Sequence, residues 1–486
     1  MLGSGDAPGG SKEFCLPFVG IDLGTSFIKG AVLDAESGRV EHVRRIPFPD
    51  PLPGLDPLYC EFAPGQVLAA TRTLIEELAT LAVECEGLVM CTQLGSMVLM
   101  NSEGQAVSNC FGWRDQRVLE LHSSGAGSYY KILQERIGAQ HRRELGNELP
   151  VGAPISFLYW LAEQGKLEPD LIPVSLGDFV LSSLCHEPPS VDTTTAMTYE
   201  LLNLSTLQWH FDVIEQLGLS AVRWPTLRKQ GELAGSMKMG AASIPCFASV
   251  GDYHCALLGA LLFEDELSLN ISTGSQVSRI VPGLAPGDYQ TRPFFDGKFA
   301  NTISHLPAGR SLNVLVDLLT EIAKAQGAIP ADPWSYIASA AAAVNRTDLE
   351  VNLSFYPGPC GDRGAITNIS EKTLNVGTLF RAAFENMAEC YYASALRIWP
   401  DHSWRGIVFS GGLAFKLPQL RQIIQDRFQT ESRLCPVAED TLCGLLLLAK
   451  AFNGKTSVEE AATELRERYG LTGGGSLRFE DEQFRG

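Results

Sequence analysis

Phe18-Val-Gly-Ile-Asp22 is a short apolar run that ends in an acid. Asp22-Leu-Gly-Thr-Ser26 is a turn, and Ile28 to Leu33 is a second apolar run. Gly38 starts a third, around Val40 to Ile46. Short apolar runs parted by a glycine-bearing turn read as a strand, a tight turn and two further strands. The pattern returns later in the chain. Leu267 to Ile271 is apolar, Ser272-Thr-Gly-Ser275 is a turn, and Val277 to Val281 continues. Strand, Gly/Thr turn and strand thus occur twice, a faint internal repeat that divides the chain near residue 245.

Outward from these two stretches, helices and strands alternate. Val67 to Val83 repeats apolar residues at helical spacing. Leu88 to Cys91 and Val98 to Met100 are short buried strands, and residues 114 to 170 are more polar and mostly helical. Cys246 to Val250 is apolar and stops at Gly251-Asp252, and His254 to Leu262 reads as a tightly packed helix. Phe294-Phe-Asp-Gly297 is a hairpin signal. Helices are expected over Leu312 to Ala325, Pro333 to Val344 and Leu379 to Ile398. Gly406 to Phe409 is a strand, and Gly411-Gly412 opens a turn before a helix around Leu420 to Phe428. Leu442 to Phe452 is a final apolar helix. The expected division is a loose leader over 1–17, units over 18–245 and 246–452, and a peripheral tail over 453–486.

Composition bounds the function. The chain has 486 residues, 45% hydrophobic and 19% charged, which excludes wholesale disorder. Lys plus Arg is 38 against 56 Asp plus Glu, a net charge of −18. That charge argues against a dedicated binder of nucleic acid or anionic membrane. The 12 cysteines are scattered with no C-x-x-C pair, so neither a disulfide framework nor a cysteine zinc site is expected. No run of 18 apolar residues occurs, and Met1 to Lys12 has no apolar signal core. A cytoplasmic protein without membrane or nucleic-acid partners is the expectation, as a monomer or homodimer.

Several positions can carry chemistry. Gly24 lets backbone N–H groups approach an anion, and the hydroxyls of Thr25 and Ser26 add donors. Asp22 cannot hold a phosphate, because like charges repel, but it can hold a nucleotide's Mg²⁺ through water. An ordinary β-turn would read the same. Thr273 and Gly274 repeat this chemistry, and two such hairpins facing across a cleft could grip phosphates from both sides. Gly411 and Gly412 would let a flat ring lie against the backbone. Asp252 ends a buried strand, where a carboxylate can accept a hydroxyl proton; it can equally cap the following helix. His254 reads as a packed or solvent-facing histidine. Trp113, Asp115 and Arg117 resemble a polyol-binding wall, or a salt-bridged helix start.

Together these motifs, with Lys29, resemble the FGGY family of carbohydrate kinases in order and spacing over about residues 18 to 452. The resemblance implies an α/β fold of two actin-like (ribonuclease H-like) domains. Each would be a mixed sheet flanked by helices, and the two would close over ATP and a sugar in the cleft between them. Within the family, Gly251-Asp-Tyr-His-Cys-Ala, Leu269 to Gln276 and Arg292-Pro-Phe-Phe-Asp-Gly look most like sedoheptulokinases. The implied roles are Asp252 as catalytic base and Asp22 on Mg²⁺. Gly24, Thr25, Ser26, Thr273, Gly274, Gly411 and Gly412 would bind ATP. Gln93, Trp113, Asp115, Arg117 and Asp252 would bind the sugar, a ketose such as sedoheptulose phosphorylated at a primary hydroxyl. Three positions depart from the family pattern. Gly95 stands where many members place a sugar-contacting histidine, which suggests open space near the sugar. Leu413 breaks the adenosine-loop glycines, and Phe157 replaces a lysine before Trp160. Xylulose or ribulose kinase, an actin- or chaperone-like ATPase, and a non-catalytic sugar sensor remain open at this level.

Overall fold

Two mixed sheets of matching design make the frame. The computed structural model describes residues 17–471 except 83, 329–331 and 455; the leader and the final residues of the tail lie outside these. The first sheet contains β1 (Phe18–Leu23), β2 (Phe27–Asp34), β3 (Arg39–Pro47), β4 (Gly87–Thr92), β5 (Leu233–Met239), β6 (Ala242–Phe247) and β7 (Val250–Gly251). Its order is β5-β6-β4-β1-β2-β3, with β7 also pairing with β4. β1, β2 and β3 run antiparallel, whereas β4 lies parallel to β1. The second sheet contains β8 (Glu266–Ile271), β9 (Ser275–Val281), β10 (Gln290–Pro293), β11 (Phe299–Leu306), β12 (Gly406–Ser410) and β13 (Glu431–Leu434), in the order β10-β11-β9-β8-β12-β13. Again the first three strands in the path from β8 are antiparallel and β12 is parallel to β8. The repeat read from sequence is therefore a repeat of topology. Asp22 in β1 and Asn270 in β8 occupy the same place, each just before its Gly/Thr turn.

The layers follow from the apolar faces. On one side of the first sheet lie α1 (Pro64–Leu81) and α2 (Leu176–Cys185), with Leu74, Ile75, Leu78, Phe179 and Val180 buried against Ile21 and Ile28. α3 (Asp252–Gly259) lies between the sheets. Beyond the second sheet lie α4 (Gly309–Ala325) and α5 (Val376–Ile398). A short helix, α6 (Gly412–Lys416), follows β12. α7 (Asp440–Phe452) joins α3 between the sheets, and one core unites Ala31 and Val89 of the first sheet with Val408 of the second. Every residue of α7 from Thr441 to Ala449 is buried. A helix that is apolar all round must be covered on all sides, and this one is. A separate lobe packs around Phe157, Tyr159 and Tyr199.

α7, within the expected 246–452 unit, packs on β1, β2, β3 and β4 of the first sheet. In the tail, α8 (Val458–Arg468) buries Val458, Ala461, Ala462 and Leu465 in the same central core. Its Ser457–Glu460 capping box starts it. Small residues at its buried face let it approach closely, which charge counting along the chain could not show.

α3 and α7 meet without side chains between them. A Cβ on Gly259 would stand 2.0 Å from the Asp440 carbonyl oxygen, and one on Gly444 would stand 2.1 Å from that of Cys255. A methyl at Gly444 must therefore push the helices apart. Gly444→Ala is expected to cost about 1–3 kcal/mol or more of stability, read by urea denaturation. Wild-type stability would show that the two helices can part freely.

Candidate active site

The crossing of α3 and α7 brings their N-termini to the end of β1. Asp252 is the first residue of α3 and Asp440 the first of α7, where a negative charge suits the helix dipole. Asp22, near the end of β1, is 3% exposed. Thr441 Oγ1 donates to Asp22 Oδ2 at 2.7 Å, and Cys91 Sγ lies 3.6 Å from Oδ1. Lys29, its cross-strand partner, stands 3.6 Å away and also pairs with Glu439 at 3.1 Å. Arg45 pairs with Glu439 as well.

Three carboxylates thus face one region with little opposing charge. Burial raises Asp252 to about 7, and the negative charge of Asp22 adds to this. Burial raises Asp440 to about 6, with Lys29 pulling the other way. Asp22 is also raised, since burial outweighs the pull of Lys29. Lys29 itself moves up: burial would lower it, but Asp22 and Glu439 outweigh that.

Asp252 is held by a web behind it. Ser249 Oγ donates to Asp178 Oδ1 at 2.6 Å, Thr195 Oγ1 donates to the Ser249 carbonyl at 3.0 Å, and the Gly251 N–H donates to Thr194 Oγ1 at 3.2 Å. Asp252 is partly open to solvent, and Oδ1 accepts the Tyr253 N–H at 2.7 Å. Tyr253 reaches the second sheet through Ser278 at 2.9 Å, and the Arg292 guanidinium lies 4.4 Å from its ring centre. Glu148 holds Arg292 at 2.5 Å. His254 is fully buried, as a packed histidine, and its pKa is pushed well down by burial.

The two Gly/Thr turns occupy matching ends of β1 and β8. Trp113 Nε1 donates to Thr25 Oγ1 at 3.2 Å, which ties the first turn to the Trp113 loop. Ser26 and the whole of Ser272 to Gly274 are exposed, and the start of α4 closes on the second turn through Arg310 N–H to Thr273 O at 2.9 Å. Gly411 sits beside it with φ +84°, and a Cβ there would lie 2.5 Å from the Ile271 carbonyl oxygen. That glycine is required by the chain next to it. Gly412, in contrast, faces open space. Gln93 lies at the end of β4, its N–H donating to Leu23 O at 2.9 Å.

Asp115 and Arg117 form a buried ion pair. Asp115 is fully buried; Oδ1 accepts Arg117 N–H and Nε, and Oδ2 accepts Cys60 N–H and Arg117 Nη2. Arg117 also pairs with Glu61 at 2.5 Å and lies between the rings of Tyr59 and Phe111. The salt-bridged reading of this motif is the one that the fold realises, and it fixes the loop that carries Trp113. Gly95 does not leave a hole either. At φ +85° its Cβ position lies 2.9 Å from Gly152 O and 3.2 Å from Trp113 Cβ, so neighbouring chain fills the space. Phe157 replaces a charge with a core contact, its ring stacked 5.4 Å from Phe111.

Sequence reading missed Glu439, Asp440 and Thr441. An acidic pair at the head of an apolar helix was the available signal, but nothing local says what the head of that helix faces.

Paired mixed sheets with a Gly/Thr turn on each, and acids on helix ends between them, make an actin-like α/β fold. The profile of the FGGY family of carbohydrate kinases, N-terminal domain, matches residues 18–259. Human sedoheptulokinase is 21% identical over 459 residues, covering 84% of this chain and 92% of that protein. The glycerol kinase of Xanthomonas campestris pv. campestris (strain 8004) is 23% identical over 279 residues, about half of each chain (51% and 51%). The crystal structure of ligand-bound xylulose kinase from Lactobacillus acidophilus shares the fold at a TM-score of 0.78 and 18% identity, covering 94% of this chain and 96% of that one. The chain belongs to the FGGY family of carbohydrate kinases. Among the described residues, no helix is long and apolar enough to cross a membrane.

Removing one partner of a buried ion pair strands the other charge. Asp115→Ala is therefore expected to lose about 3–5 kcal/mol of stability, measured by urea denaturation. A neutral result would mean that the Asp115–Arg117 pair does not hold the Trp113 loop.

Proposed function

We infer that this enzyme transfers the γ-phosphoryl group of ATP to a primary hydroxyl of a free ketose such as sedoheptulose. The observation that carries this reading is Asp252: a partly exposed carboxylate, raised to about 7, at the start of the helix between the two sheets. A base poised near the working pH suits proton removal from an alcohol. The hydroxyl oxygen attacks the γ-phosphorus, its proton passes to Asp252, and the bond from the γ-phosphorus to the bridging oxygen of ADP breaks. Proton acceptance of this kind contributes roughly 10²–10⁴-fold, and positioning supplies much of the rest.

The other roles follow the same logic. Thr25 and Ser26 beside Gly24, and Thr273 beside Gly274, offer hydroxyl and backbone donors to phosphate oxygens from the two sheets. Gly412 leaves room for the adenosine. Gln93 and Trp113 border the sugar, whereas Asp115 and Arg117 position Trp113. The residues around Asp22 fit a hydrated Mg²⁺. They are oxygen donors, burial raises their pKa values, and the three carboxylates do not all come within 4.8 Å of one another. Bound there with the nucleotide, such an ion would offset the charge of the phosphate oxygens, with Asp22 holding it through water. Lys29 opposes the burial that disfavours the ionised form of Asp22.

A ketose is favoured over glycerol because the match to human sedoheptulokinase runs along most of the chain, whereas that to glycerol kinase stops at half. We place the two lobes at about 18–245 and 246–452, with α3 and α7 shared between them.

Two measurements test this reading. Asp252→Asn keeps the shape of the side chain but not its basicity, so kcat should fall roughly 10²–10⁴-fold with sugar binding largely kept. In the wild type the base must be ionised, so kcat/KM should fall about tenfold per pH unit below about 7, the value to which Asp252 is raised. The Asn variant should lose that limb; a variant with near wild-type turnover removes Asp252 from the mechanism.

ADP release should then be measured with MgATP over sedoheptulose, xylulose, ribulose, glycerol and aldoses at equal concentration. Sedoheptulose is expected to turn over fastest and glycerol slowest. Glycerol or an aldose leading the panel would reject the ketose assignment and leave the kinase intact. ATP turnover that no sugar stimulates would reject the kinase reading itself.

A further inference from the structure

A second cluster of chemistry-bearing side chains lies in the separate lobe, away from the carboxylates at the helix crossing. The helix Tyr129–Glu144 ends with His141 and Glu144 one turn apart, hence on the same face. His210 arrives from the turn after the strand Gln208–Trp209 and leads into the helix Phe211–Gln216. One donor atom from each of the three lies within 4.8 Å of the others, and no other such triad of His, Cys, Asp or Glu occurs among the described residues.

The backbone pins the pieces together. Leu204 N–H donates to Glu144 O at 2.9 Å and His210 N–H donates to Leu201 O at 2.7 Å. His210 Nε2 lies 2.7 Å from Glu144 Oε2, and the rings of His141 and His210 meet edge to face at 5.1 Å. Gln140 Nε2 donates to the other Glu144 oxygen at 3.1 Å, which orients the carboxylate. His210 is 6% exposed, while His141 and Glu144 are half-buried, so the triad is fixed from behind and open in front. The neighbouring Arg142 directs its charge elsewhere, toward Glu200 and Tyr130.

We propose that His141, Glu144 and His210 form a binding site for one zinc-class divalent cation, with water in the fourth position. Two imidazoles and one carboxylate are a borderline donor set that prefers zinc to magnesium. Tetrahedral donors about 2.1 Å from zinc stand roughly 3.4 Å apart. The present separations, from 2.7 Å to at most 4.8 Å, bracket that value, and side-chain rotation alone can close the difference. The second oxygen of Glu144 already has the supporting hydrogen bond that such ligands use.

The cation would tie the helix to the 201–210 turn. Immediately beyond that helix, Asn147 and Glu148 reach the second sheet, and Glu148 holds Arg292 beside Tyr253. The site therefore braces the strap that crosses from this lobe to the second sheet, and takes no part in the phosphoryl transfer.

The test uses the full-length protein stripped of metal, dialysed against low-micromolar Zn²⁺ in excess Mg²⁺. One zinc per chain is expected, with a raised melting temperature and, after Co²⁺ loading, visible d–d absorption. His141→Ala and His210→Ala should each weaken zinc binding at least tenfold. Circular dichroism checks that both fold, and Glu144→Gln, which keeps the hydrogen bonds, serves as a variant of unchanged shape and should also bind more weakly. Absence of stoichiometric zinc in the wild type overturns the proposal, and so does binding that survives all three substitutions.

Discussion

The close crossing of α3 and α7 is the constraint on which the rest depends. Two glycines, 259 and 444, let one helix backbone rest on the other. Only at that distance do the two helix starts converge on the end of β1. Asp252 then comes beside Asp22 and Asp440, and Thr441 reaches Asp22. A bulkier residue at either glycine would separate these groups before it touched any of them.

That convergence is electrostatically costly. Like charges gathered in a poorly hydrated place raise one another's pKa. Among the described residues, Lys29 is the cation paired with Asp22, and Glu439 shares that lysine. Carboxylates buried in this way favour a ligand that brings positive charge, and burial raises Asp252 to about 7. The hydrogen bonds of Asp178 and Thr195 to Ser249 and of Thr194 to Gly251 hold Asp252 against this repulsion.

The sugar side is built differently. Asp115, Arg117 and Glu61 form a closed ion cluster under aromatic rings, and every oxygen of Asp115 is used. Their effect on a ligand passes through Trp113, which their cluster positions and whose Nε1 bonds the Thr25 turn. The tight contact of Gly95 with Gly152 and Trp113 closes the space that a missing histidine would suggest.

Much of this was legible in the sequence. Apolar runs with a Gly/Thr turn marked β1–β2 and β8–β9, and their recurrence marked the duplicated topology, because strand pairing across a short turn is a local event. Asp22, Thr25, Asp252 and Thr273 were visible for the same reason: each ends a strand beside a turn or a helix start. The tertiary structure alone decided which distant elements meet. Thr441 bonds a carboxylate 419 residues away, and α7 and α8 return to the first sheet's side of the molecule. Periodicity tells which face of a helix must be covered, but not by what. The same limit hid the filling of the space at Gly95 and the meeting of His210 with His141 and Glu144. Each depends on long-range packing that places one backbone against another, and no local pattern encodes that distance.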